Sequence, residues 1–276
     1  MLSTNREALE EQLRRVSARA TKTIALHQGE RIGITLGCGF PKSGTVWLCQ
    51  MLATYLGVPF PKSYMLPIAM ESVVHAHWEY DPRFPRTAYI VRDGRDIVVS
   101  LYFYYVRAMS SDKNPSRARW VNQEFDYLYG PNFDPRDSLA NLPRFIDHFW
   151  GSPRATHGRR WSDHVLEWIG RPQVSTVTYE ALRADPIRAL SELVQDLTGE
   201  TVNEVKVSTA VQRFSFETST GRKPGAEDPS SFLRKGIVGD WRNHFSSESA
   251  QSFEALSGEG LIAASYEEDN SWIGTI

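Results

Sequence analysis

Gly39-Phe40-Pro41-Lys42-Ser43-Gly44-Thr45-Val46-Trp47 lies between an alternating apolar run, Ile32, Ile34, Leu36 and Cys38, and a stripe at helical spacing, Trp47, Leu48, Met51, Leu52, Tyr55 and Leu56. The order is strand, tight turn, helix. A turn in that context aims several backbone N–H groups, and the positive end of the helix dipole, at whatever lies above the strand. Lys42 adds a full charge in the same place, so the chemistry suits a phosphate or a sulfate. A nucleotide-triphosphate loop, Gly-x-x-x-x-Gly-Lys-Ser/Thr, does not fit. Pro41 stands where the Gly before the Lys belongs, and Leu36 stands where the first Gly belongs.

Outward from that loop, residues 5–27 read as a polar amphipathic helix with Leu9, Leu13 and Val16 on one face, leading into the first strand at about 31–38. A second strand is expected from Ser72 to His77. Thr87 to Val91 is a third, short and apolar enough to be central, followed by the polar turn Arg92–Asp96 and a helix from Ile97. Val174 to Tyr179 forms a fourth, and Asp185-Pro186 then opens a helix that closes near Gly199. Strands alternating with helices predict an α/β fold, a single domain whose central sheet is mostly parallel and flanked by helices. Residues 1–30 read as a helical extension and 31–276 as the domain. Residues 102–140, rich in aromatic and turn residues, are expected to line an acceptor pocket beyond the carboxyl ends of the strands. Residues 217–231 are expected to form a mobile loop.

Composition sets the outer bounds. With 276 residues, 41% of them hydrophobic, the chain has enough apolar surface for one large core. A net charge of −2 offers no broad cationic face for nucleic acid, so an anion site must be a local concentration of Lys and Arg. Cys38 and Cys49 are the two cysteines, without the spacing of a disulfide framework or a metal site. The chain carries no apolar run of the length a membrane span needs, and its N-terminus lacks a signal peptide's apolar centre. These features predict a cytoplasmic protein that engages neither membrane nor nucleic acid and needs no metal.

Two further segments can hold anions. Arg92 ends the third strand, with Ser100 eight residues on. Downstream, Arg234-Lys235-Gly236-Ile237-Val238-Gly239-Asp240-Trp241-Arg242-Asn243 places adjacent cations before a Gly that lets backbone N–H groups approach a phosphate closely. Pro-Lys-Ser-Gly-Thr-x-Trp, an Arg with a Ser eight residues later, and Arg-Lys-Gly-x-x-Gly-Asp-Trp, in this order, resemble the cytosolic-type sulfotransferases and, within them, a bacterial small-molecule member. That family takes sulfate from 3′-phosphoadenosine 5′-phosphosulfate (PAPS). The resemblance runs from about residue 31 to 245, and Phe149 to Trp168, with Gly158, Trp161, His164 and Val165, extends it through the middle as a structural element.

The resemblance implies a P-loop-like sulfotransferase fold and assigns roles by position. The 5′-phosphosulfate falls to Lys42, Ser43, Gly44, Thr45 and Val46. The 3′-phosphate falls to Arg92, Ser100, Arg234, Lys235 and Gly236, and adenine to Trp47, Tyr179 and Phe216. The family's catalytic His closes a Lys-Thr-His or similar triplet, and His75-Ala76-His77 aligns His77 with it and puts His75 in the Lys position. On this reading His77 is the base, Lys42 stabilises the leaving phosphate oxygen, and Ser100 restrains Lys42 until an acceptor arrives. The acceptor is expected to be a small or medium-sized aromatic or glycosylated molecule with a hydroxyl group. A small-molecule kinase and a carbohydrate acceptor with the same donor stay open as alternatives. The family's dimer signature, Lys-x-x-x-Thr-Val-x-x-x-Glu, is degraded here to Arg242, Ser246, Ser247 and Gln251, which leaves monomer or dimer undecided.

Overall fold

β-Branched and apolar runs alternate with helices, most of whose starts carry their own caps, in the computed structural model. It describes residues 2–61, 66–111, 114–152, 159–223, 225–226, 228 and 235–276. The order is α1 (Leu2–Gln28), β1 (Ile34–Gly39), α2 (Thr45–Leu56), β2 (Ser72–Ala76), β3 (Thr87–Val91), α3 (Gly94–Ala108), α4 (Pro115–Tyr129) and α5 (Ser138–Phe145). It continues through α6 (Trp161–Trp168), β4 (Val174–Thr178), α7 (Tyr179–Ala184), α8 (Pro186–Thr198), α9 (Glu204–Arg213), α10 (Phe216–Thr220) and α11 (Ser247–Ala263). A π-turn at Ile146–Trp150 continues α5, and 3₁₀ turns lie at Asp240–Asn243 and Asn270–Thr275.

The four strands lie in the order β2-β1-β3-β4. β1 runs parallel to both neighbours, with Cys38 opposite Ala76 on one side and Gly39 opposite Ile90 on the other. The chain therefore leaves β1 in one direction for β2 and then returns to its other side for β3. That reversal makes the carboxyl end of β1 a topological switch point, the place where open α/β sheets bind ligands. The α/β fold with a parallel sheet and flanking helices stands as the sequence predicted, and each strand lies within a few residues of its expected position.

Residue contacts gather into two compact units. The first comprises Met1–Gly39, Gly44–Ile90 and Gly170–Ser215. Its core packs Leu48, Met51 and Leu52 of α2 with Val73, Ala88, Ile90 and Val177 of the sheet, and with Leu190, Leu193, Leu197, Val207 and Ala210 of α8 and α9. The inward face of α1 differs from the expected stripe. Leu9, Leu13 and Val16 are exposed, and Ser17, Thr21 and Ala25 are buried instead. Small residues let this helix approach closely, and the Thr21 hydroxyl accepts the Ile68 backbone N–H at 3.1 Å.

The second unit comprises Phe40–Ser43, Val91–Ile169 and Phe216–Ile276, and its core is aromatic. Phe40 packs edge-on to Trp150 at 5.6 Å, Trp150 stacks on Phe253 at 5.7 Å, and Tyr105, Phe145 and Phe149 cluster within 6.1 Å of one another. Such pairs add about 0.5–1.5 kcal/mol each beyond the area they bury. Trp161, His164, Val165 and Trp168 are buried here, as expected for a structural segment, while Gly158 lies outside the described residues.

The stretch 102–140 is largely helical among its described residues, which the sequence reading did not expect; Tyr102, Tyr105 and Phe125 fill the core, while Phe103, Tyr104 and Tyr129 are only partly buried. The overlooked signal was Asn114-Pro115: Asn114 caps α4 by accepting the Arg117 N–H at 2.9 Å, and Pro115 sits in the first turn. Asp185-Pro186 uses the same device at α8. Of the expected loop 217–231, Glu217 to Thr220 belong to α10, and positions 224, 227 and 229–231 lie outside the described residues.

Candidate active site

The loop that closes β1 supplies the first set of groups. Gly44 is the N-cap of α2, with φ of 93° and no side-chain cap, so the helix's first N–H groups are left to a ligand or solvent. Any Cβ at Gly44 would stand 2.9 Å from the Tyr179 ring. That ring meets Trp47 edge-on at 5.9 Å, and Trp47 donates its indole N–H to the Phe214 carbonyl at 2.8 Å. Gly44, Trp47 and Tyr179, predicted from distant stretches, thus form one aromatic corner beside the loop, while the Val46 side chain is exposed.

The loop also holds buried polar atoms with nothing to bond. The Ser43 and Thr45 hydroxyls are buried and lack hydrogen-bond partners among the described residues. A buried orphan hydroxyl costs about 1–3 kcal/mol, a debt a bound acceptor oxygen would remove. Lys42, between Pro41 and Ser43, adopts φ of 74°, a left-handed conformation that costs a non-glycine residue roughly 1–2 kcal/mol. Burial, together with the Arg92 and Arg107 guanidiniums, pulls its ammonium down to about 7. Its Nζ lies 5.0 Å from the centre of the Tyr104 ring.

The second and third anion segments meet in the second unit. Arg92, just past the end of β3, donates to the Lys42 carbonyl at 3.2 Å and lies 3.8 Å from the Asp96 carboxylate. Asp96 in turn accepts the backbone N–H groups of Gly239 and Trp241 at 2.8 and 3.0 Å. One buried carboxylate therefore joins Arg92 to the Gly239-Asp240-Trp241 turn. Burial pushes the Asp96 acid up, against the pull of Arg92 and the two N–H donors.

Lys235 pairs with Asp240 at 2.6 Å, and Gly236, at φ of 64°, lies so close under Phe216 that a Cβ there would stand 2.5 Å from its ring. Phe216 and the Lys235-Gly236 pair, predicted separately, are thus neighbours. Ser100 is half-buried on α3, and Arg234 lies outside the described residues.

His77 stands one residue beyond β2, where the sheet register brings it level with Gly39. Its Nδ1 is 2.5 Å from the Gly39 carbonyl oxygen, which can only accept, so Nδ1 is the donor and the neutral ring keeps its lone pair on Nε2. The His75 ring lies 4.5 Å away, edge-on, and burial pulls its pKa down to about 4. His75 is neutral near pH 7. Among the described residues no group of three or more His, Cys, Asp or Glu side chains is placed to hold a metal ion.

The groups that sequence reasoning missed are the carboxylates. Asp93, Asp96 and Asp240 organise the cations, and the pairings across which Asp96 acts span more than 140 positions, with no local pattern to betray them. Gly-Asp-Trp at 239–241 was legible as a motif, but not its attachment to α3.

Comparison with known proteins gives a consistent result. The sulfotransferase domain family matches residues 83–263. Rat (Rattus norvegicus) sulfotransferase 1C2 is 25% identical over 264 residues, covering 79% of this chain and 80% of that protein. Bovine (Bos taurus) sulfotransferase 1A1 is 26% identical over 262 residues, covering 78% and 79%. Among solved structures, mouse sulfotransferase SULT7A1 complexed with PAP aligns at a TM-score of 0.57 and 19% identity, over 88% of this chain and 87% of that one. Retinol dehydratase in complex with androsterone and inactive cofactor PAP aligns at 0.54 and 14%, over 88% and 85%. At those identities the structural likeness speaks for the fold.

Proposed function

Because the chain belongs to the sulfotransferase domain family, we propose that it moves the sulfuryl group of PAPS onto a hydroxyl of a small or medium-sized aromatic or glycosylated acceptor, in the cytoplasm, with His77 as general base. The observation that carries the donor side is the loop at the switch point, with a left-handed Lys42, an uncapped helix start and the buried partnerless hydroxyls of Ser43 and Thr45. Those groups fit a phosphosulfate, which offers only acceptor oxygens. PAPS brings roughly −4 in charge, counting about −1.5 to −2 per phosphate monoester, and Lys42, Arg92, Arg234 and Lys235 together supply four positive charges against it.

In the step proposed, the acceptor oxygen attacks sulfur in line while His77 Nε2 takes the hydroxyl proton. The bond from sulfur to the 5′-phosphate oxygen breaks, and Lys42 stabilises the charge left on that oxygen. Adenosine 3′,5′-bisphosphate (PAP) leaves, and the proton passes from His77 to solvent. Ser100 restrains Lys42 while no acceptor is bound. Trp47, Tyr179 and Phe216 hold adenine, and Arg92, Arg234, Lys235 and Gly236 hold the 3′-phosphate.

Calorimetry tests the donor. Binding of PAP without added metal supports the reading, and binding of ATP only with magnesium would replace it with a kinase. A screen of hydroxylated metabolites with radiolabelled donor sulfate then finds the acceptor.

For that acceptor, Tyr104 offers a partly open ring 5.0 Å from Lys42 Nζ and 4.6 Å from the Arg117 guanidinium. Tyr104→Ala is expected to raise the acceptor KM by roughly tenfold, the loss of about 1–2 kcal/mol of aromatic contact. PAP affinity should stay unchanged; a fall in PAP affinity alone would take Tyr104 out of the acceptor site.

A further inference from the structure

We propose that Arg95, held by Glu267 and Trp272 of the C-terminal segment, positions the 235–241 turn for the donor's 3′-phosphate; the inference rests on the donor reading above. Arg95 is 2% exposed in the first turn of α3. Its guanidinium meets both Asp93 carboxylate oxygens at 2.8–3.2 Å and Glu267 at 2.5 Å. The flat cation also sits in the corner between two perpendicular rings, 4.1 Å from Trp241 and 4.7 Å from Trp272, whose own centroids are 5.8 Å apart. Trp272 in turn is fixed to α11 by its indole N–H, which donates to Glu254 at 2.7 Å.

Trp241 is therefore held through both its backbone and its ring. Its backbone N–H goes to Asp96, the carboxylate that also faces Arg92, while its ring lies against Arg95. Lys235 is joined to the same turn through Asp240. Glu267 meets Arg95, and Trp272 meets both Arg95 and the Trp241 ring, edge-on at 5.8 Å, so they act through Arg95 and Trp241 as positioning residues. They lie beyond residue 245, in a stretch that no motif marks. A buried guanidinium with two carboxylates and two aromatic neighbours is costly to leave half-paired, so removing one partner disturbs the turn that Arg95 supports.

The test compares two ligands that differ only in the 3′-phosphate, PAP and adenosine 5′-monophosphate, by calorimetry on the full chain. Trp272→Ala and the milder Glu267→Gln are expected to weaken PAP roughly tenfold while leaving adenosine 5′-monophosphate within about twofold. Trp272→Phe, which keeps an aromatic face on Arg95, should recover most of the loss. Equal weakening of both ligands, or no change in either, overturns the positioning role. Failure of the unmodified protein to prefer PAP overturns the donor reading itself, and this inference with it.

Discussion

His77→Ala is expected to lower kcat by about 10²–10⁴-fold, the usual worth of a positioned general base, with the KM for PAPS little changed. The Gly39 carbonyl fixes the tautomer: it accepts the hydrogen bond from Nδ1–H and leaves Nε2 as the basic nitrogen of the neutral ring. The loss should depend on the acceptor. A phenol with pKa near 10 needs less help than an alcohol nearer 15.7, so the ratio of wild-type to variant kcat should be larger for the alcohol. His75 is the natural rival, two residues away and ring to ring with His77. Burial pulls its pKa down to about 4, which makes it a weak base, and His75→Phe should retain most activity. A His77→Ala enzyme with undiminished kcat on an alcohol would remove His77 from the chemistry.

How much of this was legible in the sequence follows from how local each signal is. The β1–loop–α2 unit was readable because its apolar period switches from two to the helical value at the loop itself. The helices after Asp185-Pro186 and Asn114-Pro115 carry identical start signals, yet the second went unread because the aromatic residues around it invited a pocket interpretation. Aromatic content does not say which way a ring points; only the helical phase of α3 and α4 sends Tyr102, Tyr105 and Phe125 inward and leaves Tyr104 partly open. Similarly, Leu9, Leu13 and Val16 have helical spacing, but α1 packs through Ser17, Thr21 and Ala25, where closeness mattered more than apolar area.

At the site, the cations were visible through motifs, and their carboxylate partners were not. Asp96 looks from sequence like an ordinary first-turn acid of a helix, favoured there by the dipole. Its bonds to Gly239 and Trp241 depend on a fold that brings two remote segments together.

Lys42→Met is expected to reduce kcat by roughly 10²–10³-fold, the effect of deleting one charged stabiliser of a developing oxyanion, and to weaken PAP as well. A sharper signature comes from the proton. With its pKa pulled down to about 7 by burial and by Arg92 and Arg107, Lys42 is mostly neutral at pH 8.5 in the ligand-free protein. A bound anion reverses the balance, because the charged form then gains a partner. Binding PAP at about pH 8.5 should therefore take up about one proton per complex, and affinity should fall as pH rises above 7, by up to about tenfold per unit. The ligand's own phosphates do not mask this, since their second pKa lies near 6 and they are fully ionised in that range.

Calorimetry in buffers of different ionisation enthalpy counts the proton directly. Lys42→Met should abolish the uptake, and Lys42→Arg, always charged, should flatten the pH dependence even if its larger fork cannot restore turnover. Proton uptake that survives in Lys42→Met would mean another group titrates on binding, and Lys42 would then be charged before the donor arrives.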